Sequence, residues 1–337
     1  MKVKVSQAVN LITAIIKARL VPMLSGSPGC GKSQIAYKIA ADYNLKVIDL
    51  RLSQCDPTDL LGFPTILGNK AGYVPMETFP IEDDPLPAGH SGWLLFLDEF
   101  NSASPAVQAA AYKLILDRMV GVHHLHKNVA IMCAGNLETD NAIVQPMSTA
   151  LQSRLVHMEL DIDSLEWVNW ASEAKLNHHI VDYIKFKPSA LFTFRPDHTD
   201  STYACPRTWE FLSRLMAVVP VSDPDSLQLY AGTVSEGVAR EFITFCKIYD
   251  TLPKISQIVA APDTITMPTE TSVQYAITGA LAHNATEHNL SQLMKFVIRM
   301  PHEFQVITVR ETTQRNKPLL QHPAIIKWRT EFAEALF

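Results

Sequence analysis

The stretch from Gly26 to Ser33 reads GSPGCGKS and contains the residue types needed to hold a phosphate group. Its glycines allow the backbone to turn so that successive N–H groups point inward at an anion. Lys32 adds a positive charge for the terminal phosphates, and the Ser33 hydroxyl is a ligand for Mg²⁺. We therefore predict that the whole loop binds nucleotide phosphates, through Gly26, Ser27, Pro28, Gly29, Cys30, Gly31, Lys32 and Ser33.

Three polar residues at the ends of apolar runs predict the rest of a phosphate-transfer site. Asp98 and Glu99 end the run WLLFLDEF, and Asn136 ends NVAIMCAGN. A strand-end acid can hold Mg²⁺ together with the loop hydroxyl, which suits Asp98. Glu99 can orient or deprotonate a water, and the Asn136 amide can hold that water. Taken alone, the carboxylates could cap a strand and Asn136 could form a turn, but the preceding phosphate loop favours the catalytic interpretation.

Two arginines are candidates for stabilising the γ-phosphate as it leaves. Arg154 lies in ALQSRLVHMEL and Arg207 in CPRTW, at the start of a predicted helix. An arginine is always charged, and its forked guanidinium suits a phosphate. The alternative at each position is a surface arginine with a packed stem.

The predicted elements place these residues at consistent points of one fold. Strands at 21–25, 45–52, 93–100 and 128–136 alternate with helices at 6–19, 32–44 and 105–119. Nearly continuous apolar strands that alternate with helices predict a parallel sheet covered on both faces. Prolines make residues 53–92 loop-rich, and helical spacing dominates after residue 160. A stretch with three prolines, at 251–270, is predicted to be a connector.

Composition limits the kind of protein this can be. A chain of 337 residues exceeds the size of a single core, so more than one domain is expected. The net charge is −5 and no Lys/Arg block occurs, so nothing indicates a nucleic-acid-binding arm. The five scattered cysteines suggest reduced thiols and a cytoplasmic protein. Polar residues interrupt the N-terminal apolar stretch, so neither a signal peptide nor a membrane span is expected.

The ordered set GSPGCGKS, LLFLDEF, CAGN, LQSRL and CPRTW resembles the AAA+ ATPases, and within them the MoxR-like group. The resemblance covers about residues 10–220 and extends to DPTDLLGFP, DEFNSASPAVQAAAYKLILDRMVG and GNLETD. It implies that Lys32 and Ser33 belong to Walker A, Asp98 and Glu99 to Walker B, Asn136 to sensor 1, Arg154 to the arginine finger and Arg207 to sensor 2. Leu155 departs from the Phe that often follows the finger, yet it keeps an apolar anchor.

The resemblance also implies an architecture and an activity. It predicts an αβα three-layer P-loop core with a parallel sheet at 1–160, a helical lid at 161–250 and a C-terminal helical extension at 251–337. The activity would be ATP hydrolysis with Mg²⁺ by a ring, usually a hexamer, in which Arg154 reaches the neighbouring subunit. MoxR-like proteins are chaperone-like motors, so a protein client or a von Willebrand factor A-type partner is expected. A nucleic-acid-dependent motor or nucleoprotein assembly factor, and a nucleotide-gated scaffold with little turnover, remain alternatives.

Two loops have open interpretations. Residues 121–128 hold His123, His124 and His126, which form a poor closed set for a metal and suit either a pore-facing or an ordinary exposed hairpin. Residues 60–80 carry Phe63, Ile66 and Tyr73 among glycines. That loop suits either a mobile grip on a partner or a long loop packed by its own aromatics.

Overall fold

The computed structural model describes residues 2–140 and 144–336. The chain divides into two compact units. The first contains Met1–Asp163 with Arg195–His198, and the second contains Ser164–Phe194 with Thr199–Phe337. The predicted three-part division at residues 160 and 250 stays a prediction. In the described ranges, each helix is too short or too polar to cross a bilayer.

The strands of the first unit form one parallel sheet and two small hairpins. Their bounds are β1 Lys2–Val3, β2 Val21–Ser25, β3 Leu45–Arg51, β4 Phe63–Leu67, β5 Lys70–Val74, β6 Gly92–Asp98, β7 Met119–Val120, β8 His123–His124, β9 Val129–Gly135 and β10 Leu155–Leu160. Among the described residues, six strands form the sheet in the order β1-β10-β2-β9-β6-β3. Every neighbouring pair in it is parallel. The hairpins are β4–β5 and β7–β8.

Helices cover both faces of this sheet, as the continuous apolar strands require. They are α1 Val5–Lys17, α2 Lys32–Asp42, α3 Pro57–Leu61, α4 Pro105–Leu116 and α5 Thr149–Gln152. Along β6, Leu95 and Leu97 share one core with Leu114 of α4. Leu94 and Phe96 face the opposite core, which contains residues of α1 and α2. The predicted three-layer αβα arrangement is confirmed.

Strand register brings three chain segments to one edge of the sheet. Ser25 of β2 pairs with Gly135 of β9, and Cys133 of β9 pairs with Leu97 of β6. The carboxyl ends of β2, β9 and β6 are therefore nearly level. The residues that follow these three strands must meet at this edge, which is where ligands bind in open parallel sheets.

The regular elements described in the second unit are helical, so the predicted helical C-terminal region is confirmed. They are α6 Ser164–Glu173, α7 His178–Phe186, α8 Pro206–Met216, α9 Ser226–Val234, α10 Glu236–Thr251, α11 Ile255–Ala260, α12 Thr271–Asn284, α13 Leu290–Ile298, α14 His302–Arg315 and α15 Pro323–Leu336. Trp209 of α8 is fully buried against the rings of Tyr183 and Phe242. Lys185 of α7 bridges Asp182 at 3.3 Å and Glu311 at 2.8 Å, which ties α7 to α14.

Two segments contain more regular structure than their prolines predict. Residues 53–92 hold α3, with Pro57 in its first turn, and the β4–β5 hairpin. The connector predicted at 251–270 contains α11, which begins after Pro253 and ends before Pro262. Proline is tolerated outside a helix or in its first turn, so short helices fit between these breaks.

Candidate active site

The loop between β2 and α2 folds around its own lysine. Gly29 and Gly31 have φ values of 77° and 99°, a left-handed conformation that favours glycine. Lys32 begins α2 and is only 9% exposed. Its Nζ donates to the Gly26 oxygen at 2.6 Å and the Ser27 oxygen at 3.1 Å. Among the described residues no carboxylate forms an ion pair with Lys32, so its charge is available to a phosphate.

Ser33 and Asp98 place two hard oxygen donors side by side. The Ser33 hydroxyl donates to Oδ2 of Asp98 at 3.1 Å. Oδ1 of the same carboxylate accepts the backbone N–H of Glu99 at 2.8 Å. A hydroxyl and a carboxylate are oxygen ligands of the kind that Mg²⁺ takes together with phosphate oxygens and water. The donor set therefore fits Mg²⁺, and the metal-binding role of these two residues stays a prediction.

Glu99 follows β6 in a left-handed conformation, with φ 54° and ψ 34°. This turn directs the carboxylate toward the segment after β3, where the Ser53 hydroxyl donates to Glu99 Oε2. Sequence reasoning missed Ser53. Its one signal was its position just beyond a predicted strand, and only the pairing of β3 with β6 makes that position relevant.

Asn136 follows β9 and reaches the phosphate loop. Its Oδ1 accepts from Lys32 Nζ at 3.2 Å, so the structure brings these two predicted residues together. The Asn136 backbone is held by Asn101, whose Nδ2 donates to the Asn136 oxygen at 2.8 Å and whose Oδ1 accepts the Asn136 N–H at 3.0 Å. Asn101 is 5% exposed and was also missed, because an asparagine after a strand reads as an ordinary turn residue.

Replacing Asn101 with alanine should lower the free energy of unfolding by about 1–3 kcal/mol, because buried backbone groups of Asn136 lose their partners. Chemical denaturation of the purified chain measures this change. Asn69→Ala, at an exposed position near the tip of the β4–β5 hairpin, is the matched control and should change it by less than about 0.5 kcal/mol. Equal stability of the two variants would show that Asn101 does not hold Asn136 in place.

Comparison with known proteins agrees with this geometry. Residues 22–155 match the family model of the AAA domain, dynein-related subfamily. These residues therefore resemble an AAA domain and have its parallel-sheet P-loop fold. The match spans the phosphate loop, both carboxylates, Asn136 and Arg154. Among curated proteins, no significant match was found.

Solved structures of low sequence identity resemble the chain. A point mutant of RuvB from Thermotoga maritima is 15% identical over 77% of this chain and 78% of its own, with a TM-score of 0.40. NtrX from Brucella abortus is 16% identical, over 91% of this chain and 68% of its own, with a TM-score of 0.37. The RuvB Holliday junction branch migration motor of Thermotoga maritima is 16% identical, over 88% of this chain and 86% of its own, with a TM-score of 0.36.

Arg154 lies at the other edge of the parallel sheet. It directly precedes β10, whose first residue, Leu155, pairs with Val21 at the start of β2. The phosphate loop follows the far end of β2, about 15 Å further along the strands. Arg154 donates to the Ala150 oxygen at 2.8 Å and packs over the Tyr112 ring at 4.8 Å. The structure thus does not bring Arg154 to the Lys32 cluster of its own chain.

Arg207 belongs to the second unit. It is an exposed residue in the first turn of α8, which begins at Pro206. The amphipathic helix expected from Pro206 is present, with Trp209, Leu212 and Met216 buried. The role of Arg207 as sensor 2 stays a prediction.

The three histidines of residues 121–128 have different surroundings, which agrees with their being a poor set of metal ligands. His126 is 7% exposed, packs edge-on against the Trp93 ring and accepts the Asn128 N–H through Nδ1. His123 Nε2 contacts the Tyr73 oxygen at 3.3 Å, while His124 is exposed. In the ranges that the structure describes, no three metal-ligating side chains come together. The β7–β8 hairpin is real, and its pore-facing role stays a prediction.

The β4–β5 hairpin carries the aromatic residues of the 60–80 loop on its surface. Phe63 is 62% exposed, Ile66 81% and Tyr73 43%. These side chains do not form a self-packed loop interior, and a grip on a partner stays a prediction.

Proposed function

We propose that this protein is an ATP-hydrolysing AAA+ motor of the MoxR-like type that works as an oligomeric ring on a protein partner. One observation carries the proposal: the phosphate-loop cation of Lys32 contacts the Asn136 amide at 3.2 Å. Ser33, Asp98 and Glu99 lie at the same edge of the sheet. This set contains the groups needed to bind a triphosphate and to activate a water beside it.

Each residue has a chemical task in hydrolysis. Lys32 exchanges its carbonyl partners for phosphate oxygens and stabilises their charge. Ser33 and Asp98 would hold Mg²⁺, which would supply positive charge to the triphosphate. Asn136 orients the attacking water, and Glu99 accepts its proton at a carboxylate oxygen. The backbone of Gly26, Ser27, Pro28, Gly29, Cys30 and Gly31 encloses the phosphates.

The position of Arg154 supports a ring. A charge about 15 Å along the strands from the phosphate loop does not serve its own site, but it can serve the site of a neighbour. A hexamer is the state that the MoxR resemblance implies. The same resemblance supplies the protein client or von Willebrand factor A-type partner, and Arg207 would report the nucleotide state to the helical unit.

Replacing Lys32 with alanine tests nucleotide binding. ATP affinity, measured by titration of a fluorescent analogue, should fall about 10- to 100-fold, because a charged hydrogen bond to phosphate is lost. Lys38→Ala, on the exposed side of the same helix α2, should bind as the wild type does. Unchanged affinity in the Lys32 variant would remove the nucleotide site from this loop.

The contact between Ser53 and Glu99 favours a second candidate, a nucleotide-gated scaffold with little turnover. In this arrangement a hydroxyl holds the base that should activate water. The two candidates differ in what releases Glu99. In a motor the contact breaks during each cycle, whereas in a scaffold it keeps hydrolysis slow.

Ser53→Ala should raise basal ATP hydrolysis several-fold if the contact restrains an otherwise competent base. Phosphate release from the variant and the wild type, without added partner, measures the effect. Ser102→Ala, in the turn after Glu99 but without a bond from its hydroxyl to that carboxylate among the described contacts, is the control. A rate that falls below the wild type would show that Ser53 assists Glu99.

A further inference from the structure

A cavity lies at the edge of the sheet opposite to Lys32. It has a volume of about 360 Å³ and is formed by α1, α2 and the starts of β3 and β9. Its apolar wall includes Leu20, Ile39, Tyr43, Leu45 and Ile131. This volume falls within the range of sites for small molecules. We call it the basal cavity.

The basal cavity collects positive charge. Lys17, Arg19, Arg118 and Lys127 line it, and none of its lining residues is acidic. In the part of the chain that the structure describes, no carboxylate forms an ion pair with any of these four cations. The chain as a whole has 34 acidic and 29 basic residues, so this grouping does not follow from composition.

Each of the two arginines donates a hydrogen bond to a backbone carbonyl. Arg19 donates through Nη1 to the Lys127 oxygen at 2.8 Å, and Arg118 donates to the Val129 oxygen. Both have positive φ, 61° and 53°, at positions after a helix where glycine is favoured. A guanidinium has five N–H donors, so one bond to a carbonyl leaves donors for a ligand.

The charges around the basal cavity favour the binding of an anion there. Burial and the nearby Arg19 charge lower the pKa of Arg118. The carboxyl ends of α1 and α4 favour nearby cations, which accounts for Lys17, Arg19 and Arg118. They do not account for Lys127, which lies in the turn before β9. A bound anion would compensate the repulsion among all four charges.

We propose that the basal cavity binds a small organic anion, with a phosphate or carboxylate held by Lys17, Arg19, Arg118 and Lys127. The rest of the ligand is an apolar or aromatic group that packs against Leu20, Ile39 and Tyr43. Charge and an apolar wall in one cavity specify a two-part ligand, since a free inorganic ion would leave the apolar wall in water. This site is independent of the ATPase proposal, because it uses none of the same residues.

Titration calorimetry of the full chain at low ionic strength tests the site, with phenyl phosphate and benzoate as two-part probes. Inorganic phosphate and phenol are the half-probes, and each should bind at least about tenfold more weakly than phenyl phosphate. The two acids differ in the anionic group, so the tighter one identifies the preferred chemistry. Affinity should decrease with added salt, since charged contacts are screened.

The variants locate the binding. Lys17→Gln with Lys127→Gln removes two exposed charges and should weaken phenyl phosphate at least about tenfold. Lys70→Gln with Lys295→Gln removes the same charge elsewhere and should bind as the wild type does. Lys32→Ala should also leave probe affinity unchanged, which separates this cavity from the phosphate loop. The proposal would be overturned if no probe bound, or if inorganic phosphate bound as tightly as phenyl phosphate. It would also be overturned if the Lys17/Lys127 variant kept wild-type affinity for phenyl phosphate, or if the Lys32 variant lost it.

Discussion

The Glu99→Gln variant should hydrolyse ATP about 10² to 10⁴ times more slowly than the wild type, which is the usual contribution of a positioned general base. Glutamine keeps the size of the side chain but cannot accept the proton of the attacking water. Nucleotide affinity should stay within about threefold, since Lys32, Ser33 and Asp98 are unchanged. Phosphate release and titration of a fluorescent analogue measure the two quantities separately.

A matched control distinguishes the loss of the Glu99 carboxylate from the general effect of removing one negative charge. Glu77→Gln removes an exposed acid from the same unit and should turn over as the wild type does. Wild-type turnover in Glu99→Gln would contradict the assignment of the base. If turnover is lost as predicted, the variant held in ATP is the form to use for capturing a protein partner by affinity purification.

The backbone conformation at Glu99 positions its carboxylate. Its left-handed conformation ends β6 and costs about 1–3 kcal/mol for a residue other than glycine. The turn is held by neighbours on both sides, since its N–H donates to Asp98 and its carboxylate accepts from Ser53. Such strain is common where a side chain must be aimed. Glutamine can adopt the same backbone, so the variant tests chemistry rather than folding.

The sequence predicted the parts of the site that are local in the chain. A strand, a glycine-rich turn and a helix around Lys32 form one continuous segment, so motif and periodicity sufficed to place them. The predicted ends of one strand and one helix were less accurate, because a residue in the left-handed conformation follows each of them. The strand predicted at 93–100 stops at Asp98 because Glu99 turns, and the helix predicted at 105–119 ends at Leu116, just before Arg118 turns.

The sequence could not predict the contacts that depend on strand order. Ser53 reaches Glu99 because β3 pairs with β6, and Asn101 reaches Asn136 because β6 pairs with β9. Neither pairing can be deduced from residue spacing, since both are set by how helices cross the sheet. β1 was missed for the same reason, because its two residues form a strand only through pairing with β10.

Arg154→Ala should lower ATP hydrolysis about 10³- to 10⁵-fold, as expected for an arginine that stabilises the leaving γ-phosphate. The chain that carries the change keeps Lys32, Asp98 and Asn136, so it should bind nucleotide with wild-type affinity. Loss of packing over Tyr112 is the competing explanation. Tyr112→Leu removes that contact while keeping Arg154, and it should retain most of the activity if the charge is what matters.

Mixed rings decide whether Arg154 acts on a neighbouring subunit. Arg154→Ala supplies an intact phosphate loop, and Lys32→Ala supplies an intact arginine, although each variant alone is inactive. In an equal random mixture about one quarter of the interfaces join the two intact halves. Activity should therefore return toward a quarter of the wild-type rate per subunit. Rings that assemble, as sedimentation can show, yet recover no activity would place Arg154 outside the neighbour's site.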